Sequence, residues 1–231
     1  MVLLHGLGET GSEAAGIRAW VDRYGLTDAY ARLRHAPITP RSKRPDWPAG
    51  RLEALNRELA TRPFRGLAIA CPYTPNVAKF ADRARVFDEY AAWVSDEVVP
   101  RARAHAAAVI DPRPATLGGC SLGGYVSLEV FLRRADRFAA WGGVQSAFGA
   151  HRAASYAERI ADVLAKSGPR ALDLLTSAAD PFLAANTALA NALAQKGLAN
   201  PLRVLPGPHD QPWLREAGTL ETLLFHERHA P

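Results

Sequence analysis

The chain has 231 residues, 48% of them apolar and 22% charged, with 18 Gly and 17 Pro. That composition excludes collagen, coiled coil and long disorder, and a chain of this length buries about 70% of its unfolded surface without needing a disulfide or metal. Charges or Pro interrupt every apolar run before the roughly 20 residues that a membrane-spanning helix requires. The formal charge of +5 is confined to residues 32–51, where Arg32, Arg34, Arg41, Lys43, Arg44 and Arg51 face one acid, Asp46, and the rest balances at 22 against 22. An excess so confined, Pro-punctuated and without a reading motif predicts a solvated loop and no nucleic-acid partner.

Along the chain, short apolar runs alternate with amphipathic stretches. Six runs read as buried strands: Val2 to Leu4, Leu67 to Ala70, Ala115 to Gly118, Phe138 to Val144, Ala171 to Leu175 and Leu202 to Leu205. Helical patterns lie between them at about 12–24, 51–61, 83–106, 123–134, 153–166 and 184–196, and a last one follows Pro212. Strands separated by helices predict an α/β architecture: one domain over residues 1–231, with a mostly parallel sheet of about six strands covered by helices on both faces. The segment at about 36–50 holds four prolines and Gly50 and is read as an excursion between the first helix and the second strand. The N-terminus has no basic region and only a three-residue apolar run after Met1, so no signal peptide is read and the cytoplasm is the expected location. Cys71 and Cys120 have no spacing that suggests zinc or a disulfide framework, and neither metal nor cofactor is expected.

Two glycine motifs compete for the chemistry. Gly6-Leu7-Gly8-Glu9-Thr10-Gly11 matches the dinucleotide fingerprint GxGxxG between a predicted strand and helix. That fingerprint also needs a second strand ending in an acid about 20 residues on. Asp28 is the acid near that distance, and it lies in Gly25-Leu26-Thr27-Asp28-Ala29-Tyr30, which is no strand.

The other motif, Gly119-Cys120-Ser121-Leu122-Gly123, follows the strand from Ala115 and precedes a helix, the context of a nucleophile elbow. A Ser hydroxyl needs a His to take its proton and a carboxylate to orient that His. On an open parallel sheet these emerge from strand ends in the order Ser, acid, His. Asp180 follows the fifth predicted strand and His209 the sixth. His35, His105, His151, His226 and His229 sit in predicted helices or near the terminus, and His5 precedes Ser121. Asp210 is too close along the backbone to reach the imidazole and reads as structural; Asp111 and Asp173 lie before or within strands. His5-Gly6-Leu7-Gly8 then reads as the loop supplying a second oxyanion donor: the backbone N–H groups of Leu7 and Leu122 are the expected pair, with His5 supporting the loop. Trp213, Gln145 and Tyr125 follow strands or the nucleophile and are the expected substrate contacts, with Phe148 a further candidate.

With Leu3-Leu4-His5-Gly6-Leu7-Gly8-Glu9-Thr10-Gly11, Gly119-Cys120-Ser121-Leu122-Gly123-Gly124-Tyr125, Asp180-Pro181-Phe182 and Pro206-Gly207-Pro208-His209-Asp210 with Trp213, the chain resembles the α/β-hydrolase superfamily. Within it, the likeness is to the esterase group that includes esterase D-like, polyhydroxybutyrate depolymerase-like and enterochelin esterase-like enzymes. The resemblance implies a three-layer fold and a Ser121, Asp180, His209 triad that cleaves small-molecule carboxylic esters without a cofactor. Against that pattern the chain lacks the first strands of the fold, and His5 and Cys71 are unusually far apart. The same machinery serves peptidases and acyltransferases, and an inactive binding scaffold is the alternative from another class. The resemblance also implies a spatial strand order of 2, 1, 3, 4, 5, 6, which leaves Leu67 to Ala70 as a bare apolar edge. A homodimer touching that edge is expected, with segment 36–50 at the face opposite the triad.

Overall fold

The computed structural model describes residues 1–106, 114–198 and 202–230; Asp111 lies outside them. Five parallel strands form one sheet in the order β1-β2-β3-β4-β5: β1 Val2–Leu4, β2 Ala115–Cys120, β3 Phe138–Val144, β4 Ala171–Ala179 and β5 Leu202–Pro208. Helices α6 (Leu122–Arg134), α7 (Ala153–Ser167) and α8 (Leu183–Gln195) connect the last four strands. All three pack on one face, where Phe131, Tyr156, Ile160 and Leu189 meet Val2, Leu4, Leu117, Trp141 and Leu174. The opposite face is covered by α1 (Glu13–Asp22), α2 (Leu26–Arg34), α3 (Arg51–Thr61) and α10 (Thr219–His229). There Trp20, Leu33, Leu55 and Leu223 meet Leu3, Cys120, Val144, Leu175 and Leu205. Adjacent strand residues such as Leu3 and Leu4, or Leu174 and Leu175, thus serve opposite cores, as the twofold period of a strand demands.

The expected second strand, Leu67 to Ala70, is reduced to a single parallel bridge, Val2 with Ala70. Ala70 lies beside β1, as the predicted order requires, with its N–H on Met1 O and its C=O on Leu3 N. Pairing stops there because β1 has only three residues, Pro72 has no N–H, and the Leu67 N–H is taken by the Tyr30 hydroxyl at 3.0 Å. From this edge the chain turns to the other face through α4 (Arg83–Trp93), a π-helical turn at Val94–Val98 and α5 (Val99–Ala106) before entering β2. The connections leaving β1 and β2 therefore run to opposite faces. A crevice opens between them at the carboxyl ends, the place where open α/β sheets bind ligands.

The basic segment is the largely exposed loop that its composition predicts, with no helix or strand over residues 36–50, but it lies in another place than expected. Arg32, only 5% exposed in its side chain, pairs with Glu216 and donates to Thr39 O. Arg41 pairs with Asp28, and Arg51 with Glu221 at 2.6 Å. Arg34 donates to Arg65 O. Arg44 bonds both Asp46 at 2.9 Å and Asp210 at 3.0 Å, which puts the excursion beside His209, on the side of the sheet expected to be free of it rather than opposite Ser121, Asp180 and His209. Four of its six basic residues, Arg32, Arg41, Arg44 and Arg51, thus pair with carboxylates, among them Asp210, Glu216 and Glu221 from far along the chain.

His226 on α10 is fully buried, and neither ring nitrogen has a hydrogen-bond partner among the described residues. The ring fills the space left by two sheet glycines: a Cβ at Gly118 would lie 2.5 Å from its Nε2, and one at Gly142 3.0 Å. Burial holds its pKa well below 6.5, and burial lowers that of His5 too. In the unfolded chain both return to about 6.5. Above that pH both states are neutral; below it the unfolded state takes up more protons, so stability falls with falling pH by up to about 1.4 kcal/mol per unit for each group. Urea midpoints should accordingly drop between pH 6.5 and 5, and His226→Leu should flatten that slope.

Candidate active site

Ser121 occupies the turn between β2 and α6 at φ 54°, ψ −119°. This is a left-handed conformation that costs a non-Gly residue about 1–3 kcal/mol unless its surroundings impose it. They do. Its N–H donates to Val144 O at 2.8 Å, and its C=O accepts from Tyr125 N and Ala147 N at 3.1 and 3.0 Å. The flanking glycines permit the close passage: a Cβ at Gly119 would lie 2.4 Å from Gly123 O, and one at Gly123 2.2 Å from Leu4 O. Those neighbours are backbone, which cannot swing aside. Gly123→Ala should therefore destabilise the fold by more than about 3 kcal/mol in chemical denaturation.

The Ser121 hydroxyl lies 3.1 Å from His209 Nε2, and His209 Nδ1 lies 2.9 Å from Asp180 Oδ1. Asp180, at the end of β4, has a fully buried carboxylate that accepts from Phe182 N at 2.9 Å and from the Thr176 hydroxyl. An acceptor facing Nδ1 places the ring proton there and leaves Nε2 free to accept from the serine. Phe182 packs edge-on against the imidazole, ring centroids 5.7 Å apart.

Leu7 is the first residue of a short 3-10 helix (Leu7–Glu9), and Leu122 the first of α6, positions whose N–H groups have no acceptor within their own helix. The Leu7 loop lies against Ser121, with a Cβ at Gly6 falling 3.6 Å from Ser121 Cβ. His5 supports this loop. Thr74 N–H donates to its Nε2 at 2.9 Å, so Nδ1 carries the proton and donates to Gly6 O, also at 2.9 Å. That carbonyl belongs to the peptide carrying the Leu7 N–H, and in a trans peptide fixing one fixes the other.

A cavity of about 320 Å³ opens at this point, lined by Gly6, Leu7, Gly8, Glu9, Tyr24, Cys120, Ser121, Gln145, His209, Asp210, Gln211 and Leu214. Of the expected substrate contacts, Gln145 lines it. Gln145 stands at φ 48°, and its amide donates to Ser177 Oγ at 2.6 Å and Pro208 O at 3.1 Å. It thereby ties β4 and the end of β5 to the turn after β3. Trp213 and Tyr125 belong to the core instead. Trp213 is fully buried, donates to Pro206 O at 2.8 Å and packs over Gly207, so it clamps the His209 loop from behind. Tyr125 is buried, with its hydroxyl accepting from Arg152; Phe148 is buried against Tyr156. Asp210 caps the short helix α9 (Gln211–Trp213) by accepting from Trp213 N at 2.8 Å, and its other bonds go to Arg44. Glu9, Tyr24 and Gln211 are cavity residues that sequence reasoning missed. Glu9 falls within the GxGxxG motif, but nothing in the sequence links it to the other two.

No protein-family model and no curated protein matches the sequence. Among solved structures, a ferulic acid esterase superposes with a TM-score of 0.64 at 17% identity, covering 98% of this chain and 84% of the other. An S-formylglutathione hydrolase from Agrobacterium tumefaciens gives 0.59 at 14% identity, covering 100% and 83%. One from Staphylococcus aureus gives 0.58 at 14%, covering 98% and 80%. With its parallel five-stranded sheet, its helices on both faces and these likenesses along nearly its whole length, the chain has the α/β-hydrolase fold.

Proposed function

We propose that the protein is a serine hydrolase that cleaves carboxylic esters. The observation that carries the reading is the continuous hydrogen-bond line from Ser121 Oγ through His209 to the buried Asp180 carboxylate, at the floor of an open cavity. In this reading His209 Nε2 takes the serine proton as Oγ attacks the ester carbonyl, and Asp180 stabilises the imidazolium that forms. The N–H groups of Leu7 and Leu122 receive the developing oxyanion. His209 then returns the proton to the leaving alcohol, and water, activated by the same imidazole, releases the acid from the acyl-enzyme. The structural neighbours described as esterases and hydrolases support ester hydrolysis in general. Peptide cleavage or acyl transfer would use the same groups, and no feature of the cavity favours either. The test is incubation with a fluorophosphonate probe and a panel of aryl esters of increasing acyl length. Covalent labelling at Ser121 by mass spectrometry, together with ester turnover, is expected; an unlabelled, inert protein would overturn the proposal.

A further inference from the structure

Between the two loops that line the cavity runs a buried line of polar groups with no part in proton transfer. The Gly6 N–H donates to the Tyr24 hydroxyl at 3.1 Å, the hydroxyl donates to Glu9 Oε2, and Gln211 Nε2 donates to Glu9 Oε1 at 3.2 Å. Gly6 immediately precedes Leu7, and Gln211 stands two residues beyond His209. The line therefore reaches from one side of the cavity to the other, and Glu9 is its junction.

Tyr24 is fixed from every direction. Its ring packs edge-on against Trp20, centroids 5.2 Å apart, and its backbone C=O accepts from Thr219 Oγ1 at 2.7 Å. Its side chain is buried, and burial, reinforced by Cys120 and Glu9, raises its pKa far above the usual tyrosine range. The hydroxyl thus stays protonated, and with its single proton committed to Glu9 it can only accept from Gly6. Gly6 N–H and Gly6 C=O are then both held, the first by Tyr24 and the second by His5, which leaves the following peptide, the one bearing the Leu7 N–H, a single orientation.

We propose that Tyr24 and Glu9 are positioning residues that aim the Leu7 N–H at the developing oxyanion and hold that loop in register with the loop of His209. The inference rests on the serine-hydrolase reading. A preorganised donor matters most in the transition state, where charge develops on the carbonyl oxygen. Loss of the line therefore lowers kcat and leaves KM little changed, a split that simple loss of a buried hydrogen bond would not produce.

The experiment compares Tyr24→Phe, Glu9→Leu, Glu9→Gln and the Tyr24→Phe/Glu9→Leu double variant, measuring aryl-ester kinetics and the Kd of an arylboronic acid, which forms a tetrahedral adduct on serine. Tyr24→Phe and Glu9→Leu are each expected to lower kcat by about 10- to 100-fold, with KM within about threefold. Boronate affinity should weaken by the same factor as kcat/KM. Glu9→Gln, whose amide oxygen still accepts from Tyr24, should retain more than about a third of kcat, and the double variant should be no worse than the poorer single, since residues of one network do not add. If Tyr24→Phe fails to fold, the Glu9 pair decides the question alone. The proposal is overturned if kcat stays within about twofold, if boronate affinity is unchanged while kcat falls, or if the two losses multiply. A wild-type protein that neither cleaves esters nor takes up fluorophosphonate would overturn the hydrolase reading, and this inference with it; an active wild type with equally active variants would overturn this inference alone.

Discussion

Ser121→Ala is expected to lower kcat/KM toward an activated aryl ester by at least about 10⁴-fold, since removing one member of a unit that acts together costs nearly as much as removing all of it. Stability should change by less than about 1 kcal/mol, because the turn is held by the backbone bonds of residue 121 to Val144, Tyr125 and Ala147, all of which alanine keeps. The expected result is an inactive protein with an unchanged urea midpoint. Retention of most ester turnover by the variant would refute the nucleophile assignment.

Asp180→Asn should be nearly as damaging, by about 10⁴-fold in kcat. An asparagine amide facing Nδ1 favours the tautomer with the proton on Nε2, which can no longer accept from Ser121. The Thr176 hydroxyl, which bonds Oδ2, keeps its acceptor on the amide oxygen, whereas the Phe182 N–H, which shares Oδ1 with His209, loses its acceptor to the amide nitrogen, so part of the local geometry survives while the chemistry is lost. Asp210→Asn is the control. Its carboxylate caps α9 and pairs with Arg44, and asparagine caps almost as well. Kinetics within about tenfold of wild type are expected, with a modest loss of stability from the partly exposed ion pair. A larger kinetic loss in Asp210→Asn than in Asp180→Asn would overturn the assignment of the acid.

What could be read from the sequence was whatever had a local signature. The elbow at Gly119 to Gly123 announces itself because a strand, a tight turn and a helix impose glycine at fixed offsets, and the strand ends at Asp180 and His209 follow from hydrophobic runs of ordinary length. Helix α2 has no counterpart in the sequence reading, although Leu26, Ala29 and Leu33 recur at helical spacing and are buried; Gly25 at φ 71° starts it directly after α1, and a glycine there reads as the end of a helix rather than as the start of the next. The arginine-rich segment is an exposed loop, as its composition implies, but where it lies was not legible. Its partners Asp210, Glu216 and Glu221 lie 166 to 184 residues away in the chain, so composition showed the charge and nothing showed what neutralises it. Trp213 was placed near His209 correctly but on the wrong side of its loop, because proximity in sequence does not say which way a side chain faces across a turn. The edge strand failed through length: its apolar residues fit a strand, but three residues of β1 give it almost nothing to pair with.

The sheet order repeats the chain order, and that has a consequence for how the protein comes into being. Each strand pairs with the one before it through a crossover of a dozen residues or more, so the sheet can grow from its first edge as the chain emerges, every addition waiting only for the next crossover helix. The turn that carries Ser121 after β2 can therefore be complete while β4 and β5 are still unmade. His209 arrives with the last strand, and Gln145 can close its bond to Pro208 O only then. On the serine-hydrolase reading, a nascent or partly refolded chain would thus carry an exposed but unactivated serine, and recovery of fluorophosphonate labelling during refolding would report the docking of β5 rather than the appearance of helix or the collapse of the core.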